Sequence, residues 1–132
     1  MSWPSLVACE VQIAEPNETL RRQINPKWLR NGVIGSDAFK PGDGMASTTM
    51  DSVLTAQQAH DAYTNKTVGS CTLTVSEVEN SGSRAIDDSA CTGVAHGHAY
   101  IDLRGLGRSA RDNIAKKLKR IAMRNGIWRP PL

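Results

Sequence analysis

The chain has 132 residues and a formal net charge of +3, with 39% hydrophobic and 22% charged residues. That length predicts one domain, 1–132, with a core of its own, and the apolar-to-charged balance excludes a disordered chain. No run approaches the roughly 18 apolar residues that a spanning helix needs, so no membrane partner is expected.

Aromatic residues are few: Trp3, Trp28, Trp128, Phe39, Tyr63 and Tyr100. The core must therefore lean on Val, Ile, Leu and Ala. Three cysteines, Cys9, Cys71 and Cys91, form an odd set without close spacing. That pattern points to free thiols in a reducing compartment rather than to a disulfide framework. "LVAC", ending at Cys9, has the look of a lipoprotein cleavage box, but it lacks a preceding basic and apolar run, and Pro4 interrupts it. The expectation is a cytoplasmic protein.

In chain order, residues 1–16 read as an edge strand or a loose arm. "TLRRQINPKWLRNG" places one short helical turn between Pro26 and Gly32. "SDAFKPGDGMAST" collects turn-forming residues, and Phe39, the only Phe, would pin that segment down. Thr55 followed by Gln58 makes a capping box, with Ala56, Ala59 and Tyr63 at helical spacing, so a helix is predicted near 55–65. His60 on that helix takes a packing or capping role. "CTLTV" (71–75) alternates as a half-buried strand, and "SEVE" begins a helical turn with Ser76 as its cap. "SGSRAIDDSACTG" (81–93) has the composition of a surface loop. "HAYIDLRG" alternates again, with Ala99, Ile101 and Leu103 on one face and His98, Tyr100 and Asp102 on the other. Helices and strands interspersed in this way predict an α+β fold with a small, mostly antiparallel sheet.

The last predicted element is an amphipathic helix near 109–125, with Ser109 as N-cap and Gly126 as terminator. Ile114, Leu118 and Ile121 share one sector of its wheel, which would dock on the sheet. Lys116, Lys119, Arg120 and Arg124 fall opposite. Residues 1–100 hold seven basic and eleven acidic residues, whereas 101–132 hold nine basic and two acidic. This polarity makes the basic face a candidate phosphate-contacting surface for nucleic acid. No aromatic interleaves with the lysines, so base stacking is not indicated.

The sequence offers a few candidate sites. "HGH" (96–98) puts two imidazoles two residues apart and would need Cys71 and Cys91 to complete a zinc site; without paired ligand spacing, no metal is expected. Asp87 and Asp88 are adjacent and so point apart, which implies no acid–base dyad. The G-x-S-x-G, P-loop and G-x-G-x-x-G signatures are absent. His98, Tyr100 and Asp102 share one strand face. If segment 33–49 folds over that face, they line a cleft with Arg22; these four and Ser47 form the candidate ligand-binding set.

Arg22, then Ser47-Thr48-Thr49, then Glu77-Val78-Glu79 resemble, in that order, the arginine, Ser-Thr-Ser and Glu-x-Glu motifs of ADP-ribosyltransferases. The resemblance implies NAD as cofactor, Arg22 on its phosphates, the Ser-Thr segment on the nicotinamide side, and Glu77 and Glu79 as catalytic residues. Residues 20–128 also resemble a group of short uncharacterised bacterial proteins. The match runs through Arg22, Gln23 and Pro26, then Ser36, Ala38, Phe39 and Pro41, then Thr74, Val75 and Glu77, then His98, Ala99, Ile101, Asp102 and Gly105, and ends at Gly126 and Trp128. That resemblance implies a compact bacterial or phage-borne domain and brings no established activity. The leading expectation is a binding protein without a cofactor, acting through a protein partner encoded nearby or a phosphate-rich ligand. ADP-ribosyl transfer using NAD and nucleic-acid binding through the basic helix are the alternatives.

Overall fold

The structure is a computed structural model that describes residues 3–132. Its strands and helices run β1 (Val11–Gln12), β2 (Thr19–Gln23), β3 (Leu29–Arg30), β4 (Val33–Ile34), β5 (Met45–Met50), α1 (Ala56–Ala62), β6 (Ser70–Thr74), α2 (Val75–Asn80), β7 (Arg84–Asp87), β8 (His98–Asp102), α3 (Arg108–Asn125) and β9 (Ile127–Trp128). Seven strands form one sheet in the order β1-β7-β8-β5-β2-β6-β9, with every pairing antiparallel; β3 and β4 form a separate hairpin. The class is α+β, with the C-terminal helix packed on the sheet.

Period-two alternation sorts the sheet into two faces. Cross-strand partners Leu73, Leu20 and Met50 share one of them, as do Ala46, Ile101 and Ala85. All are buried, and α3, α2 and the segment around Ile34–Phe39 cover this face. Ile114 and Leu118 of α3 are buried and Ile121 is half-buried, while Lys116, Lys117 and Arg120 are exposed. Gly107 is the N-cap of α3 and makes no side-chain bond, so Ser109 lies inside the helix and does not cap it.

Several sequence expectations need correction. "MASTTM" lies mostly within the segment read as a turn, yet it is the strand β5 at the centre of the sheet. The loop expected over 81–93 contains β7, with Ala85 and Ile86 fully buried. Segment 33–49 does not fold over the His98 face; Ile34, Ala38 and Phe39 belong to the core on the opposite face. Thr74, and not Ser76, caps α2, reciprocated by Glu77. Cys9 and Cys91 are joined by a disulfide across 82 residues, because the N-terminal segment folds back beside β7 and β8. Cys71 is the buried free thiol among the described residues, and desolvation pushes it up to about 11.

The predicted α1 capping box is present: the Thr55 hydroxyl accepts from Gln58 N–H, and the Gln58 side chain accepts from Thr55 N–H. The helix ends at Ala62, three residues before the expected limit of 65. Losing such a cap costs about 1 kcal/mol. Thr55→Ala should therefore lower the unfolding free energy by about that amount in a urea titration; an unchanged midpoint would show the box to be idle.

Candidate functional site

The second face of the sheet is polar, and two structures divide it. At one end lies the N-terminal arm. Tyr100 donates to the Glu10 carboxylate at 2.5 Å, and Trp3 Nε1 donates to the Asp102 carbonyl at 2.9 Å. Arg84 donates to Asp102 Oδ2 at 2.8 Å and to the Pro4 carbonyl at 2.8 Å. Arg104 donates to Asp102 Oδ1 at 2.9 Å and to the Tyr100 hydroxyl at 2.9 Å. Burial pushes the Asp102 carboxyl up, but the bonds from Arg104 and Arg84 outweigh it and hold the group below its ordinary value. The Tyr100 hydroxyl holds Glu10 low as well. Two guanidiniums and two carboxylates balance here, so this end is a closed electrostatic lock.

The other end is open. A cleft of about 230 Å³ has mostly apolar walls formed by Leu54, Ala59, Ala62, Tyr63, Ala95 and His96. Its floor carries Arg21, Gln23, Ser47, Thr49 and His98, and Arg22, which alternation places on the Leu20 face, borders it where the pairing of β2 with β5 ends. The register explains the floor: Arg21 pairs with Thr49, and Thr49 pairs with His98, so three side chains form one row across β2, β5 and β8. Gly97, at φ +77°, makes the turn into β8, and a Cβ there would press on Val53 and Leu54 at 3.1–3.2 Å. The "HGH" run is therefore a turn followed by a strand, and both histidines line the cleft.

Charge on the floor is unevenly compensated. Arg21 is engaged by both Asp51 oxygens at 2.9 Å and donates to Ser70 Oγ. Arg22 sits where β2 and β5 splay apart and donates to the Ala38 carbonyl at 2.7 Å and the Ser47 carbonyl at 2.9 Å. Its guanidinium lies 4.8 Å from the Trp28 ring centroid and 5.9 Å from that of Phe39. Arg22 is only 7% exposed, and no carboxylate forms an ion pair with it among the described residues. Desolvation holds its guanidinium below the ordinary value. A buried cation paired only with carbonyls and rings is costly to keep.

Two further floor atoms are unsatisfied. Gln23 Oε1 accepts from Thr67, but Gln23 Nε2 has no partner, and neither has Thr49 Oγ1; both atoms are buried. Each such orphan costs about 1–3 kcal/mol until something supplies its hydrogen bond. Beside them, His98 Nδ1 lies 2.6 Å from Asp88 Oδ1. A carboxylate only accepts, so Nδ1 carries the hydrogen, and in the neutral ring Nε2 is the acceptor.

The cleft thus brings together Arg22, Ser47 and His98 from the candidate ligand set. Tyr100 and Asp102 lie on the same face but inside the lock. Gln23, Thr49 and Asp88 were not singled out as ligand groups from the sequence, although Thr49 lay within the Ser-Thr-Thr run. Glu77 and Glu79 do not line the cleft: α2 packs on β6, β7 and α3, and Glu77 is occupied by the Thr74 cap, Asn125 and Arg124. On α3, Lys116 and Arg120 are exposed and Lys119 is half-buried, whereas Arg124 meets Glu77 at 3.3 Å. Cys91 is held in the disulfide, and no cluster of three or more metal-ligating side chains forms among the described residues. No described helix is long and apolar enough to cross a membrane. No protein-family model, curated protein or solved structure matches the chain.

Proposed function

We propose that the protein binds a small ligand that joins one negative charge to an apolar body, seated in the cleft between α1 and the sheet. The carrying observation is Arg22, which lines the cleft and whose buried guanidinium has no carboxylate partner among the described residues. A guanidinium without an ion-pair partner suits one negative charge, such as that of a phosphodiester or a carboxylate, and Gln23 Nε2 and Thr49 Oγ1 are neutral donors without partners. The apolar walls suit the remainder of the ligand. This reading narrows the expected phosphate-rich ligand to a small one and leaves the basic face of α3 outside the site. The cysteine argument for a cytoplasmic location does not carry over, because Cys9 and Cys91 are joined in the kind of bond that persists in oxidising compartments.

Calorimetric titration with methyl phenyl phosphate, which carries one negative charge, tests the reading against anisole, its neutral counterpart. The anion should bind and anisole should bind far more weakly. Arg22→Gln should weaken the anion by about 10- to 100-fold, the range for a charge-assisted hydrogen bond. Thr49→Val, a gentler change, should weaken it about threefold to tenfold. Equal binding of the two probes, or indifference to both substitutions, would remove the reading.

ADP-ribosyl transfer from NAD is a second reading. It draws support from Arg22 and Ser47–Thr49 lining one cleft, whereas Glu77 and Glu79 stand apart from it. It predicts hydrolysis or transfer from labelled NAD that Glu79→Gln abolishes; equal rates in the two proteins would end it.

A further inference from the structure

The His98–Asp88 pair has a geometry that ligand binding alone does not require. Asp88 lies on the loop after β7, and its Oδ1 holds His98 Nδ1 at 2.6 Å. His98 is 24% exposed in its side chain and lines the cleft. Nε2 has no protein partner among the described residues, and in the neutral ring the carboxylate selects the tautomer whose Nε2 accepts a proton. A carboxylate–imidazole pair of this kind both orients the ring and stabilises the imidazolium that proton transfer creates. The same cleft is lined by Arg22, whose guanidinium has no ion-pair partner among the described residues, and, directly across the strand pair from His98, by Thr49 with its orphan hydroxyl. Residues bearing a proton acceptor, a cation and an unsatisfied donor thus line one cleft.

We propose that the cleft is the active centre of a phosphodiester hydrolase in which His98 is the general base. The proposal rests on the anion-binding reading above and selects the phosphodiester from the two monoanions, because only that one presents a bond for an activated water to break. Arg22 holds a non-bridging phosphate oxygen, with Thr49 Oγ1 and Gln23 Nε2 as additional donors to the developing negative charge. His98 Nε2 removes a proton from a water molecule, and the water oxygen forms the new P–O bond. The P–O bond to the leaving alkoxide breaks, and the proton held on His98 passes to that oxygen. One water is consumed, and one monoester and one alcohol are released. His98 is the catalytic residue; Asp88 is a positioning residue that acts through it.

The test uses methyl 4-nitrophenyl phosphate, followed by release of 4-nitrophenolate, beside binding of methyl phenyl phosphate to the same protein preparations. The wild-type protein should turn over, and His98→Gln should lose about a hundredfold or more in kcat while still binding the anion. Asp88→Asn should lower kcat with little change in KM and displace the acidic limb of the pH–rate profile, an effect that a purely structural role would not produce. Should His98→Gln not fold, the Asp88→Asn profile and the stoichiometric appearance of the monoester product carry the test. Wild-type binding without turnover, or turnover undiminished in the His98 or Asp88 variants, would overturn the hydrolase and leave the binding reading intact. Absence of both binding and turnover would overturn both.

Discussion

Asp102→Asn is expected to lower the unfolding free energy by about 3–5 kcal/mol, the cost of removing one partner from a buried ion pair. Asp102 is fully buried and holds Arg84 and Arg104 together with the backbone N–H of Arg104. Asparagine keeps the shape but supplies one acceptor oxygen where two guanidiniums had a carboxylate, and it turns a donor towards donors. Glu10 then remains as the lock's single carboxylate, one phenol away through Tyr100. Because whole domains are stable by about 5–15 kcal/mol, the variant sits near its limit. The pH dependence has the same origin. Asp102 and Glu10 both have carboxyls held below their ordinary values, so their contribution is complete above the unfolded pKa near 4 and is lost as pH falls through the folded values. Urea midpoints for wild type should drop steeply below about pH 4, and the Asp102→Asn curve should be flatter there. Parallel curves, or a loss under about 1 kcal/mol, would mean that the lock contributes little.

What could be read from residues alone follows a physical boundary. β6 and β8 announced themselves because each alternates cleanly, and α1 because Thr55 and Gln58 form a local hydrogen-bonded box. α3 was legible because Ile114, Leu118 and Ile121 repeat with the helical period. β5 was hidden: Ala46, Ser47, Thr48 and Thr49 are small or polar, and "KPGDG" immediately precedes them, so composition read as turn. Its strand state comes from β2 and β8 on either side, which no local pattern records. β7 was hidden for the opposite reason. Ala85 and Ile86 point to opposite faces yet both are fully buried, so alternation disappears.

The candidate site divides in the same way. Arg22, Ser47 and His98 were identifiable as chemistry, but their meeting depends on the non-local pairing of β2, β5 and β8. Tyr100 and Asp102 carry equally functional chemistry, yet a segment some 90 residues earlier in the chain, through Trp3 and Glu10, consumes it. The importance of Arg22 lies in what does not pair with it, and a missing counter-ion has no signature in sequence. The basic surface of α3 is conspicuous in the sequence, and packing puts that helix on the sheet face opposite the cleft.

Reducing the Cys9–Cys91 disulfide should lower the unfolding free energy by about 4.5 kcal/mol without changing the affinity of the cleft for its ligand. The bond closes a loop over 82 residues, and the chain-entropy cost that it removes from the unfolded ensemble has this size for a loop so long. The native state has other fastenings at both ends of the bond. The arm is held by Trp3 on Asp102, Arg84 on Pro4 and Tyr100 on Glu10, and the Cys91 loop by Asp88 on His98. Breaking the bond thus loosens the unfolded chain far more than the folded one. In urea, the reduced protein should unfold at a lower midpoint and with a larger m-value, because its unfolded state exposes more surface. Iodoacetamide should then label Cys9 and Cys91 in the folded, reduced protein but spare Cys71, which is buried with its thiol raised to about 11. Coincident oxidised and reduced midpoints would contradict the loop-entropy account. Loss of methyl phenyl phosphate binding on reduction would show instead that the bond holds the cleft wall itself.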